Sequence, residues 1–160
     1  MELRNNGLLE KHVVDVLKEK KLTITTAESC TGGMISSRIV NVPGASAVLK
    51  QAYVTYCDEA KHTVLGVKKE TLEKYYAVSS QTACEMAEGG AKAVGADVCV
   101  SVTGVAGPDT EDGKPVGCVF IGCFYNGNVT VKEYSFKGNR MEIRSQAADE
   151  ALKLVLNVVK

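Results

Sequence analysis

Asn126-Gly127 stands between two runs rich in β-branched and aromatic residues, Val116 to Tyr125 and Asn128 to Phe136. A two-residue Asn-Gly connection favours the positive-φ turn whose twist matches paired strands, so these runs read as a β-hairpin. That antiparallel pair constrains the rest of the chain, because everything before it alternates between helix and strand. Leu8, Leu9, His12, Val13, Val16 and Leu17 share one helical face, giving a helix over 7–20. Leu22 to Thr26 is a short β-branched strand, and Thr31-Gly32-Gly33 opens a helix that runs to about Val40. Val48 to Tyr56 reads as a strand, with helical turns at Asp58 to Leu65 and Glu70 to Tyr76. Ser79 or Ser80 caps a helix to about Val94, whose Ala83, Ala87, Gly90 and Ala91 form a small-residue face. Asp97 to Thr103 is a buried-strand run that empties into a turn-rich loop, Gly104 to Pro115. Arg140 to Val159 is a closing helix. The expected architecture is a three-layer α/β/α fold on a mixed sheet with an antiparallel hairpin edge, one domain over residues 1–160.

Charge excludes some functions. Nineteen Lys and Arg balance nineteen Asp and Glu, and no basic stripe appears, so no nucleic-acid partner is expected. No apolar run approaches the roughly 18 residues that span a bilayer, and Met1 to Asn6 lacks the apolar core of a signal peptide, so no membrane role is expected. The six cysteines contain no C-x-x-C pair and read as reduced thiols of a cytoplasmic protein. His12 and His62 belong to no ligand spacing, so neither a metal nor another cofactor is called for.

Three segments could carry chemistry. In Thr25-Thr26-Ala27-Glu28-Ser29-Cys30-Thr31-Gly32-Gly33 a serine sits where a strand gives way to a helix, a place for a nucleophile or an anion. The G-x-S-x-G elbow is absent, and Ser29 reads equally well as a plain N-cap. Cys30 beside it is a second conceivable nucleophile, since a thiol at a helix N-terminus is acidified. Two histidines give a Ser-His-Asp triad little support, whereas Lys61 follows the second strand and a desolvated lysine can act as base. Taken by itself, Lys61 reads first as a solvated helix lysine. Thr103-Gly104-Val105-Ala106-Gly107-Pro108 ends a strand where α/β folds bind ligands, but it is no P-loop. Arg140 and Arg144, one helical turn apart, could clamp an anion.

Taken together, Ala27-Glu28-Ser29-Cys30-Thr31-Gly32-Gly33, Tyr53-Val54-Thr55-Tyr56 with Glu59-Ala60-Lys61, Thr103 to Pro108, Lys114-Pro115-Val116-Gly117 and Gly138-Asn139-Arg140 resemble the CinA C-terminal domain family of nicotinamide-nucleotide amidohydrolases. The motifs occur in the family's order from about residue 20 to the end. The resemblance implies an α/β/α fold, a homo-oligomer, and hydrolysis of nicotinamide mononucleotide (NMN) to nicotinate mononucleotide and ammonia in pyridine nucleotide salvage. It assigns Ser29 as nucleophile, Lys61 as base and Tyr56 as a proton relay or anchor. Cys30 and Gly104 would supply N–H groups to the oxyanion, and Thr31, Gly32, Gly33, Thr103 and Arg140 would hold the ribose phosphate. The longer proteins of the family carry an N-terminal domain, so the chain resembles the stand-alone form. Two rival readings share these residues: a silent nucleotide-binding or regulatory module, and an amidohydrolase of another small amide. Departures from the family pattern are Cys57-Asp58 in place of Ser-Asn, Asn139 in place of Asp, and an acidic stretch at Asp109 to Gly113. Losing the Asp charge is expected to leave Arg140 without its orienting partner.

Overall fold

The computed structural model describes residues 3–160, with side chains from residue 8. In chain order the elements are α1 (Leu3–Glu19), β1 (Ile24–Glu28), α2 (Met34–Val40), β2 (Tyr53–Val54), α3 (Asp58–Leu65), α4 (Lys69–Tyr75), α5 (Ser80–Val94), β3 (Val98–Gly104), β4 (Cys118–Tyr125), β5 (Asn128–Ser135) and α6 (Arg140–Val158). The strands form one sheet in the order β2-β1-β3-β4-β5, parallel among the first three and antiparallel through β4 and β5. Tyr125 pairs with Asn128, and Asn126 and Gly127 have φ of 51° and 76°, the two positive angles that the Asn-Gly signal predicts.

Both faces of the sheet are covered, giving the three expected layers. Along β3 the alternation separates them cleanly. Val98, Val100 and Val102 join the core under α1, α2 and α6, while Cys99 joins the core on the other face with Leu65, Leu72 and Met86 of α3, α4 and α5. On that second face the polar members of β3 are satisfied by α5 and its approach. Ser101 Oγ donates to the Ala83 carbonyl (2.6 Å) and Thr103 Oγ1 to the Ala77 carbonyl (2.8 Å). The small face of α5 permits this closeness: a Cβ on Gly90 would meet Cys99 Sγ at 2.6 Å.

Three boundaries differ from expectation. The first strand begins at Ile24, two residues late, because the Leu22 N–H closes α1 on the Leu17 carbonyl and Thr23 bonds the Asp97 carboxylate. The expected strand over 48–56 shrinks to Tyr53–Val54. Ala45–Ala47 winds into a 3₁₀ turn, and apart from an isolated bridge between Ile24 and Leu49 the edge strand pairs only with Ala27 and Glu28 of β1. The second helix starts at Met34 instead of Thr31, since Gly33 sits at its N-cap with φ of 98° and the Gly32 N–H turns back to the Ser29 carbonyl.

Candidate active site

Neighbouring residues of β1 point to opposite faces, and this separates two tasks. Glu28 turns toward α2, where its carboxylate accepts from Thr26 Oγ1, Thr31 Oγ1 and the N–H groups of Ile35 and Ser36, at 2.7 to 3.0 Å. It is fully buried and occupies the N-terminus of α2. Ser29 continues the ladder through its N–H to the Val102 carbonyl (2.9 Å) and turns toward α3. There Lys61 Nζ lies 2.9 Å from Ser29 Oγ and 2.9 Å from the Thr55 carbonyl.

Lys61 is 1% exposed, and no ion pair among the described residues includes it. Burial holds its pKa below the ordinary lysine value, opposed in the first place by the Asp58 carboxylate. Lysine of this kind can take a proton from a serine hydroxyl at hydrogen-bond distance. The plain N-cap reading of Ser29 and the solvated reading of Lys61 both give way to this contact. Cys30 is different. Burial pushes its thiol up to about 12, the reverse of the acidification expected at a helix N-terminus, and the helix in fact begins four residues later.

The dyad opens into a cleft of about 490 Å³ at the carboxyl ends of β1 and β3. The chain leaves β1 for β2 on one side and returns to β3 on the other, so the cleft lies at the reversal of strand order where open α/β sheets bind ligands. Ser29, Cys30, Tyr56, Lys61, Thr103, Gly104 and Arg140 all line it. Thr31, Gly32 and Gly33 do not: Thr31 is buried with its hydroxyl on Glu28, and the two glycines form the turn that carries the chain into α2. The Thr103 hydroxyl is likewise engaged, at the Ala77 carbonyl.

Arg140 donates from one terminal nitrogen to the Gly107 carbonyl (2.6 Å) and from the other to Tyr56 Oη (2.8 Å). Its neighbour Asn139 plays no part in orienting it. Asn139 caps α6, accepting from the Glu142 N–H while Glu142 accepts from the Asn139 N–H. Replacing the family's Asp there exchanges one good cap for another. Arg144 forms no anion clamp with Arg140; its guanidinium donates to the carbonyls of Cys30 (2.9 Å) and Thr31 (3.0 Å) and pins the turn after Ser29. The motif reading also leaves out the rest of the wall: Ala77 and Val78 from the approach to α5, and the carboxylates Asp58, Asp109 and Glu111. The Cys57-Asp58 departure and the acidic run at 109–113 are the sequence signals of that last group.

Among the described residues no helix is long and apolar enough to cross a membrane, and no His, Cys, Asp and Glu cluster fits a metal ion. The family model for the CinA C-terminal domain matches residues 7–159. A CinA-like protein of Kosmotoga olearia is 51% identical over 149 residues, covering 92% of this chain and 36% of its own length. The chain thus spans little more than a third of the length of the curated relatives it matches. The crystal structure of the competence/damage inducible protein CihA from Agrobacterium tumefaciens superposes with a TM-score of 0.94 at 37% identity, covering 97% of this chain and 96% of that one. A CinA superfamily protein from Klebsiella pneumoniae gives 0.93 at 32% identity, covering 96% and 97%.

Proposed function

The chain belongs to the CinA C-terminal domain family, and from that premise we propose that it is a serine–lysine amidohydrolase acting on the carboxamide of a nicotinamide nucleotide, NMN in the first instance. The observation that carries the reading is the 2.9 Å contact between buried Lys61 Nζ and Ser29 Oγ at the mouth of a ligand-sized cleft.

This geometry supports acyl transfer through Ser29. Neutral Lys61 takes the Ser29 proton as Oγ attacks the carboxamide carbon. The oxyanion meets backbone N–H groups. Arg144 pins the turn after Ser29 through the Cys30 and Thr31 carbonyls and so fixes the place of the Cys30 N–H beside the cleft. On β3, Val105 pairs with β4 through the Cys118 carbonyl, so the alternation turns the Gly104 N–H toward Ser29. Removing one such donor typically costs a factor of about 10²–10³. The lysine proton then passes to the departing nitrogen, and ammonia leaves. Tyr56, its oxygen held by Arg140, anchors the hydrogen-bond chain on that side. Water, deprotonated by Lys61, cleaves the acyl-serine and frees the carboxylate.

Ammonia release from NMN by the purified chain, beside Ser29→Ala, tests the reading. The wild type is expected to turn over and Ser29→Ala to lose about a thousandfold or more. Full turnover by a folded Ser29→Ala protein would overturn the nucleophile. Binding of NMN without ammonia release would replace the enzyme with a binding module.

A further inference from the structure

Resting on the amidohydrolase reading, we propose that Asp58 is a positioning residue of the reaction: its charge, one helical turn before Lys61 on the cleft wall, sets the pH at which that lysine gives up its proton. The two stand three residues apart on α3, a spacing that puts them on one side of a helix, and both line the cleft. Lys61 Nζ is bonded to neutral partners, the Ser29 hydroxyl and the Thr55 carbonyl. Its protonation therefore answers to charge at the next distance out.

The groups that supply such charge are few. Cys57 caps α3 and lines the cleft beside Asp58. Cys30, in the turn after β1, has a thiol that burial pushes up to about 12, so it is uncharged at neutral pH. Arg140 of α6 is engaged by the Gly107 carbonyl and Tyr56 Oη. On α5, Glu85 accepts from the Lys68 N–H (2.8 Å) and the Thr71 hydroxyl (2.6 Å). Glu28 of β1 faces α2 with its four donors. Glu59, His62, Lys69 and Glu73 lie in the groove between α3 and α4. Asp109 and Glu111 reach the cleft from an exposed loop. Asp58 is thus the cleft carboxylate held on the same helix as the base, and it belongs to no ion pair among the described residues. Burial lowers the Lys61 pKa, and Asp58 is foremost among the charges that oppose it. That opposition has a use within the catalytic cycle. The neutral amine accepts the serine proton and must hold it as ammonium until the departing nitrogen takes it. A carboxylate one turn away steadies that ammonium, and it also keeps more of the resting lysine protonated at low pH.

The test follows kcat/KM for ammonia release from NMN against pH in the wild type, Asp58→Asn and Glu111→Gln. Beside it runs an NMR titration of the lysine Cε signals in isotope-labelled protein, with the Lys61 signal assigned by its loss in Lys61→Met. In Asp58→Asn the midpoint is expected to fall by about half a pH unit or more, in turnover and in the Lys61 signal alike. kcat/KM should rise about twofold below the midpoint and drop about twofold on the alkaline plateau, so that the two profiles cross. Glu111→Gln should move the midpoint less, because no shared helix fixes its distance from Lys61. An unmoved midpoint, a uniform loss at every pH, or a shift in Glu111→Gln as large as that in Asp58→Asn would overturn the proposal. Ammonia release with an unmoved midpoint leaves the enzyme reading standing and removes this one. A Lys61 signal that shifts in Asp58→Asn, without ammonia release from either protein, removes the enzyme reading and keeps the coupling.

Discussion

Protonating Lys61 would place a cation in a nearly dry site between a serine hydroxyl and a carbonyl, with no carboxylate in contact. The neutral amine is therefore favoured at lower pH than for a solvated lysine. A base must be deprotonated to act, so kcat/KM should rise with pH through a midpoint below the ordinary lysine value of about 10.4. A midpoint at or above that value would contradict the assignment. The same shift has a stability counterpart. Between the lowered pKa and about 10.4 the unfolded chain holds the extra proton, so stability increases with pH across that window and is lower beneath it. Denaturant midpoints in the two regimes would show it. At this scale much was legible. Ser29, Tyr56, Lys61, Thr103, Gly104 and Arg140 come into one cleft as their motifs implied. Glu28 was not, because a single carboxylate at the end of a threonine-rich strand gives no sign of the four donors that tertiary packing brings to it. Arg144 misled because spacing on a helix tells which residues are neighbours, not which backbone they reach.

The element that fixes the dyad is α3, and its position depends on α5. A Cβ on Gly89 would lie 1.7 Å from the Leu65 carbonyl at the end of α3, so the two helices can touch there only through glycine. Gly89→Ala must push α3 outward and carry Lys61 with it. We expect a stability loss of about 1–3 kcal/mol, from overpacking, and a fall in kcat/KM of about a hundredfold, from misplacement of the base. Chemical denaturation beside steady-state rates checks both, and unchanged rates would show that α3 moves without Lys61. At the start of α6, Asn139→Ala removes half of the capping box and should cost about 1 kcal/mol, whereas Asn139→Asp should lie within a few tenths of wild type. A urea series on the three proteins decides it. Element existence was legible from periodicity and from the Asn126-Gly127 turn. The edge strand β2 was overread, because β propensity along 48–56 says nothing about how many partners β1 has left to offer.

Across the whole molecule the six cysteines are sorted by depth. Cys30, Cys99, Cys118 and Cys123 are buried, Cys84 is partly covered, and Cys57 is exposed at the cleft mouth. Burial raises the pKa of Cys30 and of Cys123 to about 12, which keeps both as thiols. Brief alkylation of the native protein should therefore label Cys57 first, with the buried four reacting only after unfolding, as peptide mass spectrometry would read. Fast labelling of Cys99 would show that α5 opens from the sheet. The Ser29–Lys61 contact also joins two layers. Ser29 stands on the sheet at the end of β1, while Lys61 hangs from α3 in the layer that covers one face. Neither layer holds the pair alone. In a refolding chain, the sheet and its helices can form with no chemistry at all, and the appearance of turnover times the moment at which α3 closes on the sheet.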